Sequence, residues 1–139
     1  MLKAQEIIDL ANDIKTTWKT KNPFEIADRL GILVMIRDSK VKDFTAQTIQ
    51  TDGYPTMISI NKRYSDTGKS VLCAHELGHA LLHTGTNHFK VTESNMRTNV
   101  EYEANLFAVA LLFEQSELSM SMEKMANSTL RALLDYNIE

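Results

Sequence analysis

Apolar residues recur at helical spacing at the start of the chain, where Ile7, Leu10, Ala11, Ile14 and Trp18 share one face. Lys3, Asp9, Asp13 and Lys15 fall on the other face and are expected in solvent, so the segment reads as a surface helix with one buried stripe. A short second helix is punctuated at both ends. Asn22 suits the N-cap, Pro23 the first turn, Glu25 the far side of a capping box, and Gly31 the left-handed position after a helix running from about Pro23 to Leu30. Three extended segments follow: Ile32 to Ile36, Thr45 to Thr51 and Thr56 to Asn61, the last two separated by Asp52-Gly53-Tyr54-Pro55. They predict a small three-stranded sheet. The alternation of Ala46, Thr48 and Gln50 with Gln47, Ile49 and Thr51 is only weakly amphipathic, which gives the middle segment a wet face or an edge position.

The pattern turns helical again from Gly68 to Thr84, with Val71, Leu72, Ala74, Leu77, Ala80, Leu81 and Leu82 spread around much of the circumference. A helix with that distribution is central. Gly85 stands where a terminating glycine is expected, Thr86 to Thr98 has no period and reads as a loop, and another buried helix spans about Asn99 to Phe113. The tail, with Met120, Met122, Met125, Leu130, Leu133 and Leu134, forms one or two short helices that close the core. The fold class is therefore α+β, a three-stranded sheet packed against a helical core, and the chain (residues 1–139) is expected to be a single domain.

Composition narrows the function. With 43% hydrophobic and 24% charged residues the chain has an ordinary globular make-up, and a net charge of -3 recruits neither nucleic acid nor an anionic membrane. Lys40, Lys42, Lys62 and Arg63 are too few and too scattered for a basic patch, so direct nucleic-acid binding is not expected. Cys73 is a lone cysteine, the amphipathic N-terminus carries acids, and no apolar run reaches the ~20 residues of a membrane span; a cytoplasmic protein is expected.

Chemistry concentrates in His75-Glu76-Leu77-Gly78-His79, an HExxH pentad inside the central helix. Histidines four apart project from one face a turn apart, and both imidazoles can reach one tetrahedral Zn²⁺. Glu76, beside the first ligand, can reach a water at the ion without binding the ion itself, where a general base is needed. Shuffling this composition produces the pattern by chance in roughly one case in 160. The metzincin continuation is excluded, because it requires glycine and histidine where Leu82 and Gly85 stand. The third ligand must come from elsewhere, and the acids of Glu101-Tyr102-Glu103-Ala104-Asn105 lie on the next buried helix. Glu101 and Glu103 point some 200° apart. Glu101 shares its face with Asn105, whose amide can hydrogen-bond the free ring nitrogen of a metal-bound histidine, so Glu101 is taken as the ligand, Asn105 as its support and Glu103 as the fallback ligand. His83 would diverge from the metal as the helix rises, His88 reads as a solvated loop residue, and Cys73 as a small buried side chain.

The chain resembles the ImmA/IrrE metallopeptidases, a gluzincin-type family, over most of its length. The resemblance is carried by Asn22-Pro23-Phe24-Glu25-Ile26-Ala27 with Leu30-Gly31-Ile32, by Ile58-Ser59-Ile60-Asn61, by Ala74 to His83, and by Glu101-x-Glu103-Ala104-Asn105-x-Phe107-Ala108 with Leu111-Leu112. It implies a zincin-like fold, zinc held by His75, His79 and Glu101, and Glu76 as the catalytic residue. It further implies an origin on a phage or mobile element or in a stress-response locus and, as several members are associated with such cleavage, a helix-turn-helix repressor as protein substrate. Where the family often continues into Met-Pro, Phe113-Glu114 stands here. The function expected is thus a zinc-dependent endopeptidase; the rival is a zinc-containing regulatory protein that contacts a repressor without cleaving it.

Overall fold

The structure is a computed structural model and describes residues 3–38, 45–83 and 94–137, with the side chains of 94–98 left aside. Five helices and one sheet follow in the order α1 (Ala4–Trp18), α2 (Pro23–Arg29), β1 (Leu33–Arg37), β2 (Ala46–Ile49), β3 (Met57–Asn61), α3 (Asp66–Leu82), α4 (Ser94–Leu112) and α5 (Asn127–Tyr136), with two single 3₁₀ turns, Gln115–Glu117 and Met122–Lys124, before α5. The architecture is α+β. The proposed helix stop at Gly85, most of the loop from Thr86 to Thr98, and Lys40, Lys42 and His88 lie outside the described residues.

α1 buries Ile7, Ile8 and Ala11 and lies against α4, with Leu10, Ile14 and Trp18 at the margin of the core. Lys15 corrects the expectation of a solvated residue. Its Nζ donates to the carbonyls of Ala110 at 2.6 Å and Phe113 at 3.4 Å and lies 3.3 Å from Glu114 Oε1. Lys21 Nζ likewise donates to the Leu112 carbonyl at 3.3 Å. The last carbonyls of a helix have no partner within it and carry its negative pole, so two lysines from the α1 side secure the C-terminus of α4.

α2 begins as expected, with the Asn22 side-chain oxygen accepting the Phe24 N–H at 3.0 Å. The capping box does not close through Glu25, because the Asn22 N–H already donates to Thr20 Oγ1 at 3.0 Å, and Glu25 instead lies 3.8 Å from Arg29. The exit is a Schellman turn: Gly31, at φ +74°, donates to Asp28, and Ile32 donates to Ala27 at 2.9 Å.

In the sheet, β3 lies between β1, which it pairs in parallel with Leu33 opposite Met57, and β2, which it pairs antiparallel with Ile49 opposite Met57. Ile58 and Ile60 on β3 are fully buried, and β2, the strand with the weak alternation, is an edge. α3 packs against both β2 and β3. Its N-cap is Ser65, whose Oγ accepts the Gly68 N–H at 3.0 Å, and this starts the helix two residues before the sequence pattern does. α4 also begins earlier than its apolar run.

The two central helices are in close contact at Gly78. A Cβ placed there would stand 3.0 Å from Ala104 Cα, 3.1 Å from its carbonyl oxygen and 3.3 Å from its Cβ. These are mostly backbone atoms and cannot swing aside. Glycine inside a helix costs about 1 kcal/mol relative to alanine, so its presence here reflects the crossing and not helix propensity. We expect Gly78→Ala to lower the thermal unfolding midpoint despite that propensity gain, and Gly78→Val to destabilise by about 1–3 kcal/mol or more through overpacking. A midpoint raised by Gly78→Ala would show that α4 yields freely at this contact.

Candidate metal centre

Ala74, Leu77 and Ala80 are buried in the core, and this fixes the rotation of α3. The same rotation turns His75, Glu76 and His79 towards β2 and α4. The two imidazoles stand nearly perpendicular, at 85° and 4.7 Å between centroids, with His79 Nε2 3.2 Å from His75 Nε2. Glu101 on α4 presents one oxygen to each ring, Oε2 at 3.3 Å from His75 Nε2 and Oε1 at 3.3 Å from His79 Nε2. Among the described residues these three form the group of side chains able to hold a metal ion.

The spacings can be tested against a metal. Ligand atoms about 2.0–2.1 Å from a tetrahedral Zn²⁺ lie roughly 3.3 Å from one another. The separations of 3.2, 3.3 and 3.3 Å match one face of such a tetrahedron. The donor set points the same way: two ring nitrogens and a carboxylate turned on one point in a half-buried site call for a shared positive charge. Without metal that charge is a proton. Burial alone would lower the His75 pKa, but the Glu101 hydrogen bond, the charges of Glu76 and Glu101 and a hydrogen bond with Asn105 outweigh it and raise the value. Burial opposes ionisation of Glu101, yet its bonds to His75 and His79 hold its carboxyl far below the usual carboxylate range.

Glu76 is buried, and its Oε2 lies 3.9 Å from His75 Nε2. The Thr48 hydroxyl donates to its other oxygen, Oε1, at 2.7 Å, and also lies 3.1 Å from the Glu76 carbonyl. Gln50, just past the end of β2, donates to the Ala80 carbonyl at 3.3 Å. Thr48 is a residue that sequence reasoning missed. Its signal was its place on the Ala46–Thr48–Gln50 face of a weakly amphipathic strand, which here is the face turned to α3.

Asn105, one turn after Glu101, lies near enough to His75 to favour its protonated form and donates from Nδ2 to Asn127 Oδ1 at 2.8 Å, linking this side of the site to the start of α5. Glu103 stands apart from the three-residue group and lies 2.9 Å from His83 Nε2. His83 in turn lies behind His79, with 3.1 Å between their Nδ1 atoms. Cys73 is fully buried; burial, and then the charge of Glu76, push its thiol up to about 12, so it is protonated and inert.

An HExxH helix crossed by a following helix that brings a carboxylate to the two histidines defines the metallopeptidase class. The chain belongs to the Peptidase_M78 family, described as the IrrE N-terminal-like domain, whose profile matches residues 27–135. It is 33% identical over 99 residues to Uncharacterized immunity region protein 2 of Bacillus phage phi105, a match covering 68% of this chain and 60% of that protein. It is 30% identical over 109 residues to Metallopeptidase ImmA of Bacillus subtilis (strain 168), covering 76% of this chain and 62% of the relative. Both matches therefore span less than two thirds of the relatives' length. No solved structure matches the chain.

The charge pair predicts how the metal-free protein responds to pH. The raised His75 value contributes stability that is full below its ordinary 6.5 and is lost as pH rises through the folded value. The lowered Glu101 value contributes stability that is present above its ordinary 4.5 and is lost as pH falls towards the folded value. In chelator, the contribution of the pair to the unfolding midpoint should be largest between pH 4.5 and 6.5. Glu101→Gln should remove that contribution, and a variant whose midpoint follows the parent across the range would refute the pairing.

Proposed function

We propose that the chain is a zinc-dependent endopeptidase that cleaves a helix-turn-helix repressor or a similar regulatory protein of a phage or mobile element. In this reading His75, His79 and Glu101 are the metal ligands, Glu76 is the catalytic base and residues 1–139 act as one cytoplasmic domain. The observation that carries it is the donor set: among the described residues two histidines and one acid converge, which leaves a coordination position for water, whereas structural zinc sites are closed by four protein ligands. The names of the two relatives, a phage immunity-region protein and a metallopeptidase, favour this substrate class over a metabolic peptide. Among the described residues no helix is long and apolar enough to cross a membrane.

A bound zinc ion would supply the positive charge that acidifies water and makes a peptide carbonyl electrophilic. The rest falls to the protein. Thr48 holds Glu76 Oε1, which leaves Oε2, on the His75 side, to take a proton from the attacking water and return it to the departing amine. The carboxylate is buried and anchored, so it meets the water with little reorganisation. β2 supplies Thr48 from an edge strand, and an extended substrate segment can add to that edge through its backbone, which selects flexible or locally unfolded targets.

The test is incubation of the purified chain with a purified repressor encoded beside its gene. Cleavage should stop in chelator and return with zinc. Glu76→Gln should keep zinc at the parent's stoichiometry and slow cleavage by about 10²–10⁴-fold. Undiminished cleavage by Glu76→Gln would remove the general-base role, and a stable chelator-sensitive complex without cleavage would make the protein a zinc-containing regulator.

A further inference from the structure

Behind the proposed ligand His79, on the side away from Glu101, lies a buried row of titratable groups that the hydrolytic reading does not use. His83 terminates α3, and its backbone N–H donates to the His79 carbonyl at 3.0 Å. Its ring Nδ1 is 3.1 Å from His79 Nδ1, and its Nε2 is 2.9 Å from Glu103 Oε1 on α4. His79, His83 and Glu103 are 9%, 8% and 6% exposed, so each polar contact counts heavily in this row.

We propose that Glu103 and His83 are positioning residues that fix the tautomer and orientation of His79 and thereby tune the metal site. The proposal rests on His79 being a ligand. The logic is one of donors and acceptors. An ionised carboxylate only accepts, so His83 carries its proton on Nε2 and donates it to Glu103. The Nδ1 of a neutral His83 is then a lone pair and accepts the Nδ1–H of His79. With its proton on Nδ1, His79 can offer a cation the lone pair of Nε2, the atom that hydrogen-bonds Glu101 in the metal-free protein. The opposite assignment, with a proton on His83 Nδ1, would force the His79 proton onto Nε2 and close that atom to a cation. Ligand histidines commonly give their second N–H to a carboxylate directly. Here a second imidazole is interposed, so the anchoring charge enters from α4 at Glu103, two residues after Glu101 and on a different face of the helix.

Two measurements on the full chain decide it. The first is the zinc dissociation constant by competition with a chromophoric chelator. His83→Leu, which removes the acceptor, and Glu103→Gln, which removes the charge, should bind zinc about 10–100-fold and several-fold more weakly, respectively. His83→Asn, whose amide oxygen can take the Nδ1 place, should recover much of the loss, which a merely space-filling role would not predict. The second is the ¹⁵N spectrum of the histidine rings in the zinc-loaded chain. It should show His79 protonated on Nδ1 and His83 on Nε2, and Glu103→Gln should disturb the His83 signal. Parental zinc affinity in both His83→Leu and Glu103→Gln, or a zinc-bound His79 without a proton on Nδ1, would overturn the proposal. If His83→Leu fails to fold, the parent spectrum and Glu103→Gln still decide. A parent that binds no zinc would defeat the metal reading itself, whereas parental affinity in both variants would defeat the proposal alone.

Discussion

Everything at the site hangs on how closely α3 and α4 approach at Gly78 and Ala104. A side chain at residue 78 would stand 3.0–3.3 Å from Ala104 atoms, and a wider crossing would carry Glu101, less than one turn before Ala104, away from the histidines that flank Gly78. Separations near 3.3 Å between Glu101 and the two rings tolerate little such drift. In the proposed site the pentad does two jobs: its histidines and glutamate would carry the chemistry, and its glycine lets the second helix near enough to bring Glu101 to the rings. Core packing holds the arrangement from behind, since Leu77 and Ala104 are both fully buried.

The charges are arranged in two tiers. The inner one, His75, His79 and Glu101, is partly open and concentrates acceptors on one point, as a cation requires. The outer one, Thr48, Asn105, His83 and Glu103, comes from the sheet edge, α4 and the end of α3; Thr48 holds Glu76, His83 and Glu103 back His79, and Asn105 is tied to the start of α5. Buried polar groups without partners would cost stability, and groups held from behind lose little freedom when they act. A small sheet and a few helices suffice because β2, α3 and α4 contribute hydrogen bonds to the site, and α3 and α4 apolar surface to the core as well.

Much of this was legible in the chain. The helices announced themselves through apolar period and punctuation, and Asn22 and Gly31 bound α2 as their chemistry dictates. The HExxH pentad and the acid-bearing segment after it could be found because helical spacing turns sequence distance into direction. What could not be read depends on contacts between elements distant in sequence. Lys15 looked like a solvent residue because nothing in its own helix reveals the end of α4 beside it. Thr48 had no motif, and its role depends on which face of an edge strand meets α3. Glu103 was weighed only as a ligand, since its partner His83 lies twenty residues away on another helix. Ser65 was passed over because helix starts are set by one hydroxyl bond and not by the apolar period.

The central claim is that one ion is shared by two imidazoles of α3 and a carboxylate of α4, with room left for solvent. X-ray absorption at the zinc edge of the metal-loaded chain tests it directly. The account predicts nitrogen and oxygen scatterers at about 2.0–2.1 Å, the outer-shell signature of two imidazoles, and a fall in average coordination when Glu101 is replaced by alanine. A sulfur scatterer near 2.3 Å, a shell without imidazole, or a shell unchanged in Glu101→Ala would contradict it.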